Sequence, residues 1–361
     1  MQDLGHFFKE LKIVELASVL AGPLCGSFFA ELGAEVVKVE NKLSGGDITR
    51  QWKIEEEPAS DETSSYYHSA NYGKTPVLLD LNEVKDMDRL VQLIANADVI
   101  TSNFQQKVAH KFKLEYEDVK AIKHDIIMVQ LNAYDYDDPR PGFDLVMQAE
   151  TGFISMCGDS SESLAKMPVA MLDIIAGHQM KEAVLLALIH KMRTGQGSCI
   201  HVSLYQSGVS ALVNQGTNFL NTGHIARPMG TMHPNIAPYG DVYQTSDNEQ
   251  FMLAIGSDEQ FKKLVETLNA GNELVDYLCD NQSRLRHRSQ LNRYLQEKIV
   301  QFTAEDLFTK LAEVNLPFCK INDISQVFHT DLAKEMILES HVGELAHVRY
   351  SISNVAFKAC H

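Results

Sequence analysis

The 361-residue chain has no C-x-x-C pair among its six cysteines and no H-x-x-x-H or H-E-x-x-H pair among its fourteen histidines. Cys25, Cys157, Cys199, Cys279, Cys319 and Cys360 are dispersed, which excludes a disulfide framework or zinc site and fits reduced thiols in a cytoplasm. His178, His190 and His201 read as capping, surface or core groups, so no metal site is expected. No apolar run approaches the roughly 20 residues of a membrane span. The opening MQDLGHFFKELKIVEL lacks a basic n-region and a small-residue cleavage site, so a secretory signal is not expected. Positive charge is scarce. A net charge of −16 argues against nucleic acid as the main partner, but leaves room for a small anion held in a local basic pocket. Glycine is missing where a dinucleotide fold would place it: ASVLAGPLCG carries Val19 and Leu20 in the turn instead of G-x-G-x-x-G. Glu40 ends the second strand as a ribose-binding acid would, yet without that turn the plain βαβ packing unit is the better reading. A Walker loop is absent as well.

What is present is an ordinary globular composition, 45% hydrophobic and 22% charged, in a chain long enough for two domains. LKIVELA (11–17) and AEVVKVE (34–40) predict strands around a helix at 22–32, with Pro23 in its first turn and Gly33 at its end. So short a helix between two such strands implies a right-handed crossover and a parallel sheet. PVLLDL (76–81), a helix at 83–97, DVITSNF (98–104), a helix at 115–123 and DIIMVQLNAY (125–134) continue the alternation of an open α/β domain. Beyond the 174–193 helix the pattern changes. A hairpin at 241–256 and helices near 257–268, 286–302 and 304–314 suggest a smaller α+β domain at 225–325. The large domain is expected at 1–210 plus 330–361, with 211–224 and 326–329 as linkers. VRYSISNVAFK (348–358) alternates like a strand returning to it.

One acid stands out. Asp173 sits between PVAML and an apolar helix that, from Ala183 to Ile189, is apolar nearly all round and is expected to be deeply buried. Asp173 reads as an N-cap, accepting backbone N–H bonds, with Lys191, Arg193 and Gly195 closing the other end. A carboxylate desolvated there, yet held ionised by N–H groups, also suits a covalent nucleophile toward an activated carbonyl. Residue chemistry alone allows both roles.

Several stretches resemble the family III CoA-transferases, and they occur in that family's order. They are LASVLAGPLCGSFFAELGAEVVKVE (16–40), GDITR (46–50), NYGKTPVLLDLN (71–82), NF (103–104), PGFDLVMQAETGF (141–153), DIIAG (173–177), TGQGSCIHVSL (194–204), MHPNIAPY (232–239) and AIGSDEQF (254–261). The resemblance implies an intertwined homodimer with a Rossmann-like large domain, no permanently bound cofactor, and acyl-CoA and a carboxylic acid as substrates. It implies that Asp173 attacks the thioester to form a mixed anhydride, then an aspartyl-CoA thioester, in a site that excludes water. It places CoA against Val19, Leu20, Ala21, Asn41, Leu79, Asp80, Leu81, Asn82, Asn103, Phe104, Lys111, Phe143 and Asp144.

The departures are specific. Asn41 and Asn82 stand where relatives have basic residues, and Lys111 replaces an arginine, which leaves Lys42, Lys107 and Arg50 as candidates to compensate. The related α-methylacyl-CoA racemases use a His and Asp acid–base pair, but the place of that His is Phe143. MHPNIAPY stands in place of a glycine run, which argues against an oxalate and formate pair. A C-terminal G-x-H-T stretch is missing, and His201 and Gln206 replace acids, so a CoA-binding homologue without activity is the third reading.

Overall fold

The computed structural model describes residues 6–160, 162–271, 277–342 and 347–358. Cys360 lies outside the described residues; Cys25, Cys157, Cys199, Cys279 and Cys319 are free thiols. The chain divides into two compact units, one of residues 1–156, 165–226 and 332–361, the other of 157–164 and 227–331.

The first unit is built on β1 (Lys12–Leu16), α1 (Ala21–Glu31), β2 (Glu35–Asn41), α2 (Ser65–Ser69), β3 (Thr75–Leu79), α3 (Val84–Ala95), β4 (Val99–Ser102), α4 (Gln106–Phe112), α5 (Tyr116–Ile122) and β5 (Ile127–Asn132). Short helices α6 (Asp144–Glu150) and α7 (Phe153–Met156) follow. The hairpin strands β6 (Gly158–Ser160) and β7 (Ser163–Leu164) belong to the second unit. The chain returns through α8 (Met171–Thr194), β8 (Ser198–Ser203), α9 (Leu204–Ser210) and α10 (Val213–Thr222). The six-stranded sheet runs β3-β2-β1-β4-β5-β8 with every pairing parallel. Counted along the sheet, this is the doubly wound order whose strand ends open a crevice between β1 and β4. Helices cover both faces, so β5 (IMVQLN) is buried at all but its last residue and is apolar there except for Gln130, whose amide donates to the Phe104 carbonyl. One face packs Ile13, Val36 and Val129 under α1 and α8; the other packs Val14, Ile100 and Met128 under α3 and α5.

The structure departs from the sequence reading at two places. The stretch 211–224 is mostly the helix α10, and it clusters with the first unit instead of spanning between units. The C-terminal half of α8 is not deeply buried: Leu186 is 65% exposed, Ile189 47% and Met192 86%. An all-round apolar helix presents one face to its own core and leaves the opposite face bare in a single chain.

In the second unit, β9 (Tyr239–Gln244), β10 (Gln250–Ala254) and β11 (Phe318–Lys320) form an antiparallel sheet. Phe251 and Leu253 pack there against α11 (Asp258–Thr267), α13 (Arg288–Ile299) and α14 (Ala304–Glu313), where α12 is Asn281–Arg286. Buried Arg284 donates to the Ala237 carbonyl, and Arg288 grips Asp241 together with the His233 and Tyr239 carbonyls, which fixes the MHPNIAPY turn. The tail forms the hairpin β12 (Ile337–Val342) and β13 (His347–Ile352). It docks on the first unit, where the Ser351 hydroxyl donates to the His68 carbonyl and Arg349 pairs with Asp61. Among the described residues, no helix is long and apolar enough to cross a membrane.

Candidate active site

The floor of the site is a buried set of charges at the ends of β1 and β2. Lys38 Nζ lies 3.1 Å from Glu15 and 3.1 Å from Asp47, and donates to the Ala17 carbonyl at 2.8 Å. Lys74 Nζ reaches both Glu15 oxygens at 2.8 and 2.9 Å and the Pro23 and Ala70 carbonyls at 2.7 Å. Arg50 grips Glu40 through two bonds, 2.7 and 3.0 Å, and Tyr67 donates to the same carboxylate. Arg50 is therefore engaged with Glu40. Burial opposes ionisation of Asp47, but Lys38 and the Thr49 N–H and hydroxyl outweigh it and hold the carboxyl below its usual range.

This floor shapes the β1–α1 turn. Val19 has φ of 73°, a left-handed backbone that a β-branched residue rarely adopts. Such a conformation persists only where its surroundings over-determine it. Here the Val19 N–H donates to Asp47 at 3.2 Å. Asn103 clamps the preceding residue from both sides, accepting the Ser18 N–H and donating to the Ser18 carbonyl. Asn103 thus spends its amide on the turn.

Two adjoining cavities open over the strand ends and share Ser18, Phe104 and Val108 in their walls. One, of about 430 Å³, is lined by Asn41, Leu43, Ile48, Leu79, Asp80, Leu81, Asn82 and Phe112. The other, of about 410 Å³, is lined by Val19, Leu20, Ala21, Asn103, Lys107, Asn132, Tyr136, Arg140, Phe143 and Asp173. Of the fourteen residues singled out in the sequence, twelve line one cavity or both: Asp173 with Val19, Leu20, Ala21, Asn41, Leu79, Asp80, Leu81, Asn82, Asn103, Phe104 and Phe143. Lys111 lines neither; its ammonium donates to Asn82 at 2.9 Å. The positive charges of Lys42 and Lys111 both reach Asp80, whose carboxyl is lowered chiefly by the Asn82 N–H bonds.

Asp144 is a correction. It lines neither cavity: its Oδ1 accepts the backbone N–H of Leu172 at 2.8 Å and of Asp173 at 3.3 Å. It, and not Asp173, satisfies the first turn of α8. The helix starts at Met171, so Asp173 lies inside the first turn, and the N-cap position, Ala170, offers no side-chain bond. Asp173 is therefore not held ionised by N–H groups. Its carboxyl, 9% exposed, is pushed up to about 7 by burial and then by the Asp144 charge. Gly177, one turn on, lets α8 lie against α1: a Cβ there would stand 2.9 Å from the Ala21 carbonyl oxygen. That approach brings Asp173 beside the strained turn.

The sequence reading missed Ser18, Asn132, Tyr136 and Arg140. Asn132 ends β5 with a buried Oδ1 that has no partner among the described residues, and a polar residue closing an apolar strand was the available signal. Arg140 holds Asp138 with two prongs and stacks 3.6 Å over the Tyr134 ring. Among the described residues, no cluster of three His, Cys, Asp or Glu side chains is placed to hold a metal ion.

Residues 8–358 match the model of CoA-transferase family III. The chain belongs to CoA-transferase family III. It is thus a transferase of a family whose substrates are CoA thioesters. A succinate–glutarate CoA-transferase of Agrobacterium fabrum is 32% identical over 88% of this chain and 80% of its own length. The human succinyl-CoA:glutarate CoA-transferase is 30% identical over 90% of this chain and 75% of its own. A CaiB/BaiF family protein from Brucella suis superposes with a TM-score of 0.79 at 32% identity, over 96% of this chain and 91% of that one.

Proposed function

We propose that this family III transferase moves CoA between the thioester of a short dicarboxylic acid and a free dicarboxylate, with Asp173 as covalent nucleophile. The observation that carries the reading is Asp173 itself, a desolvated carboxyl opening into one cavity of a pair whose other half suits a nucleotide. The dicarboxylate class rests on the relatives named for succinate and glutarate.

In its ionised form Asp173 adds to the thioester carbonyl, the C–S bond breaks, and CoA thiolate leaves behind an acyl-aspartyl anhydride. The thiolate then attacks the Asp173 carbonyl and releases the donor acid, leaving an aspartyl-CoA thioester. The acceptor carboxylate displaces the thiolate to form a second anhydride, and thiolate attack on the acceptor's carbonyl frees its CoA ester and Asp173. A racemase needs a second base, and among the described residues lining the Asp173 cavity there is no histidine. The test is incubation with succinyl-CoA, hydroxylamine trapping and peptide mass spectrometry. Modification at Asp173 and glutarate-dependent loss of succinyl-CoA are expected. An unmodified Asp173 under turnover sinks the covalent route, and turnover with no acceptor acid sinks the transferase.

Lys42 and Lys111 are proposed as counter-charges for the CoA phosphates at the rim of the nucleotide cavity, because both fields converge on Asp80. Replacing both with alanine should raise KM for the CoA ester about tenfold, near 1.4 kcal/mol, and leave kcat unchanged. An unaltered KM removes them from the site.

The bare face of α8 around Leu186, Ile189 and Met192 supports a homodimer, and free thiols support a cytoplasmic setting. Sedimentation velocity should give twice the chain mass, and Leu186→Glu with Met192→Glu should give monomer. A native protein that sediments as monomer at micromolar concentration rules the dimer out.

A further inference from the structure

The polar links around the start of α8 form a closed arch. The Met167 N–H donates to Gln148 Oε1 at 2.8 Å, and Gln148 Nε2 donates to Asp144 Oδ2 at 2.5 Å. Asp144 Oδ1 then accepts from Leu172 and Asp173. Gln148 is fully buried, and the Met167 bond ties the segment entering α8 to α6. A helix usually draws its cap from the residue just before it. Here the cap is a carboxylate from another helix, 29 residues earlier in sequence, and it lies beside the acid at the third position of the helix it caps.

We propose that Asp144 is a positioning residue for Asp173: it caps the nucleophile's helix from outside and sets a like charge against the nucleophile's carboxyl. The proposal rests on Asp173 being the nucleophile. Because the arch uses up the first-turn N–H groups, Asp173 gains no backbone bonds that would stabilise its anion, and a neighbouring carboxylate makes that anion more basic. A more basic carboxylate is the better attacking group on a thioester. Other groups surround Asp173 as well. On α2 the Tyr66 phenol is pushed to about 12 by burial and by Asp173, Asp144 and Asp47, so it stays neutral at working pH. From the turn entering α1 and its first residue the neighbours are Leu20 and Ala21, and from α9 Leu204. The cavity wall adds Lys107, Asp137, Asp138 and Arg140, of which Arg140 is already paired with Asp138.

The experiment is Asp144→Asn, which keeps an oxygen to accept the Leu172 N–H while removing the charge. Asp173 is followed directly in substrate-free protein by infrared difference spectra against Asp173→Asn, reading the protonated C=O band with pH. The native midpoint should lie near 7. In Asp144→Asn it should fall by about one pH unit or more, and the acidic limb of kcat/KM should move by the same amount. A thermal melt shows whether the variant is folded, and Gln148→Glu, which adds charge to the same arch, should move the midpoint the opposite way. A midpoint unmoved in both folded variants overturns the positioning role. A midpoint that moves while succinyl-CoA leaves no adduct on Asp173 upholds the electrostatic arrangement and overturns the nucleophile reading instead.

Discussion

Asp173→Asn should lower CoA transfer about 10³-fold or more and at the same time stabilise the protein at pH 8. A carboxamide cannot form the anhydride, so the loss falls on kcat, and it is read by following both CoA esters chromatographically. The gain in stability has a separate cause. Burial and the Asp144 charge raise the folded-state value from 3.8 to about 7, so the native state holds its proton where the unfolded chain has lost it. Across that window the native state binds more protons, and stability falls as pH rises from about 4 to 7. The penalty is complete above 7. An uncharged side chain removes it, which is worth about 1–4 kcal/mol at pH 8 and nothing near pH 3. Melting curves at the two pH values separate the effects. Transfer within tenfold of native refutes the nucleophile assignment, and a lower melting temperature at pH 8 refutes the desolvation argument.

Glu15→Gln should be the most damaging single change in the first unit. Glu15 is fully buried and accepts from both Lys38 and Lys74, so losing its charge takes away the carboxylate paired with Lys74 and leaves Lys38 with Asp47. Breaking a buried pair by removing one partner costs about 3–5 kcal/mol. In a unit of this size that is a fall of about 6–20 °C in melting temperature. Lys38 retains Asp47, whereas in the native protein Glu15 and Asp47 together outweigh the burial that opposes its charge. Lys74 already sits at about 8, lowered from 10.5 by burial, with Glu15 opposing that fall. Without Glu15 it drops further. Native Lys74 then binds fewer protons than the unfolded chain over a wider range, so its share of the loss appears as pH falls below about 8 and vanishes above it. A variant that melts within 2 °C of native at pH 6 would show that water or rearrangement compensates these charges.

The alternation of β-rich runs with short helices made the parallel sheet legible, since burial on both faces writes itself as mostly apolar strands such as IMVQLN. Asp173 was legible as an anomaly, an acid set into apolar sequence, and the family resemblance gave it a role. Its surroundings were not. Asp144 lies 29 residues away, and no local signal shows that one helix will cap another. A capping preference assigned to Asp173 belonged to a different acid because helix boundaries shift by two or three residues. The commitments of Arg50 and Asn103 were hidden for a similar reason: Glu40 and Ser18 meet them only through the tertiary fold. Val19 could not be recognised as strained, since composition favours an extended backbone there.

The buried charges beneath the site cancel: Glu15, Asp47 and Glu40 against Lys38, Lys74 and Arg50. The surplus of −16 therefore resides elsewhere, largely on the exterior. A CoA ester, itself a polyanion, diffuses toward a surface that repels it until it comes within reach of local cations. Dissolved salt shortens the range of that repulsion to about 8 Å at physiological ionic strength. Substrate capture by this protein is thus expected to be helped by ionic strength over the long approach, whereas the contact proposed with Lys42 and Lys111 would be weakened by it.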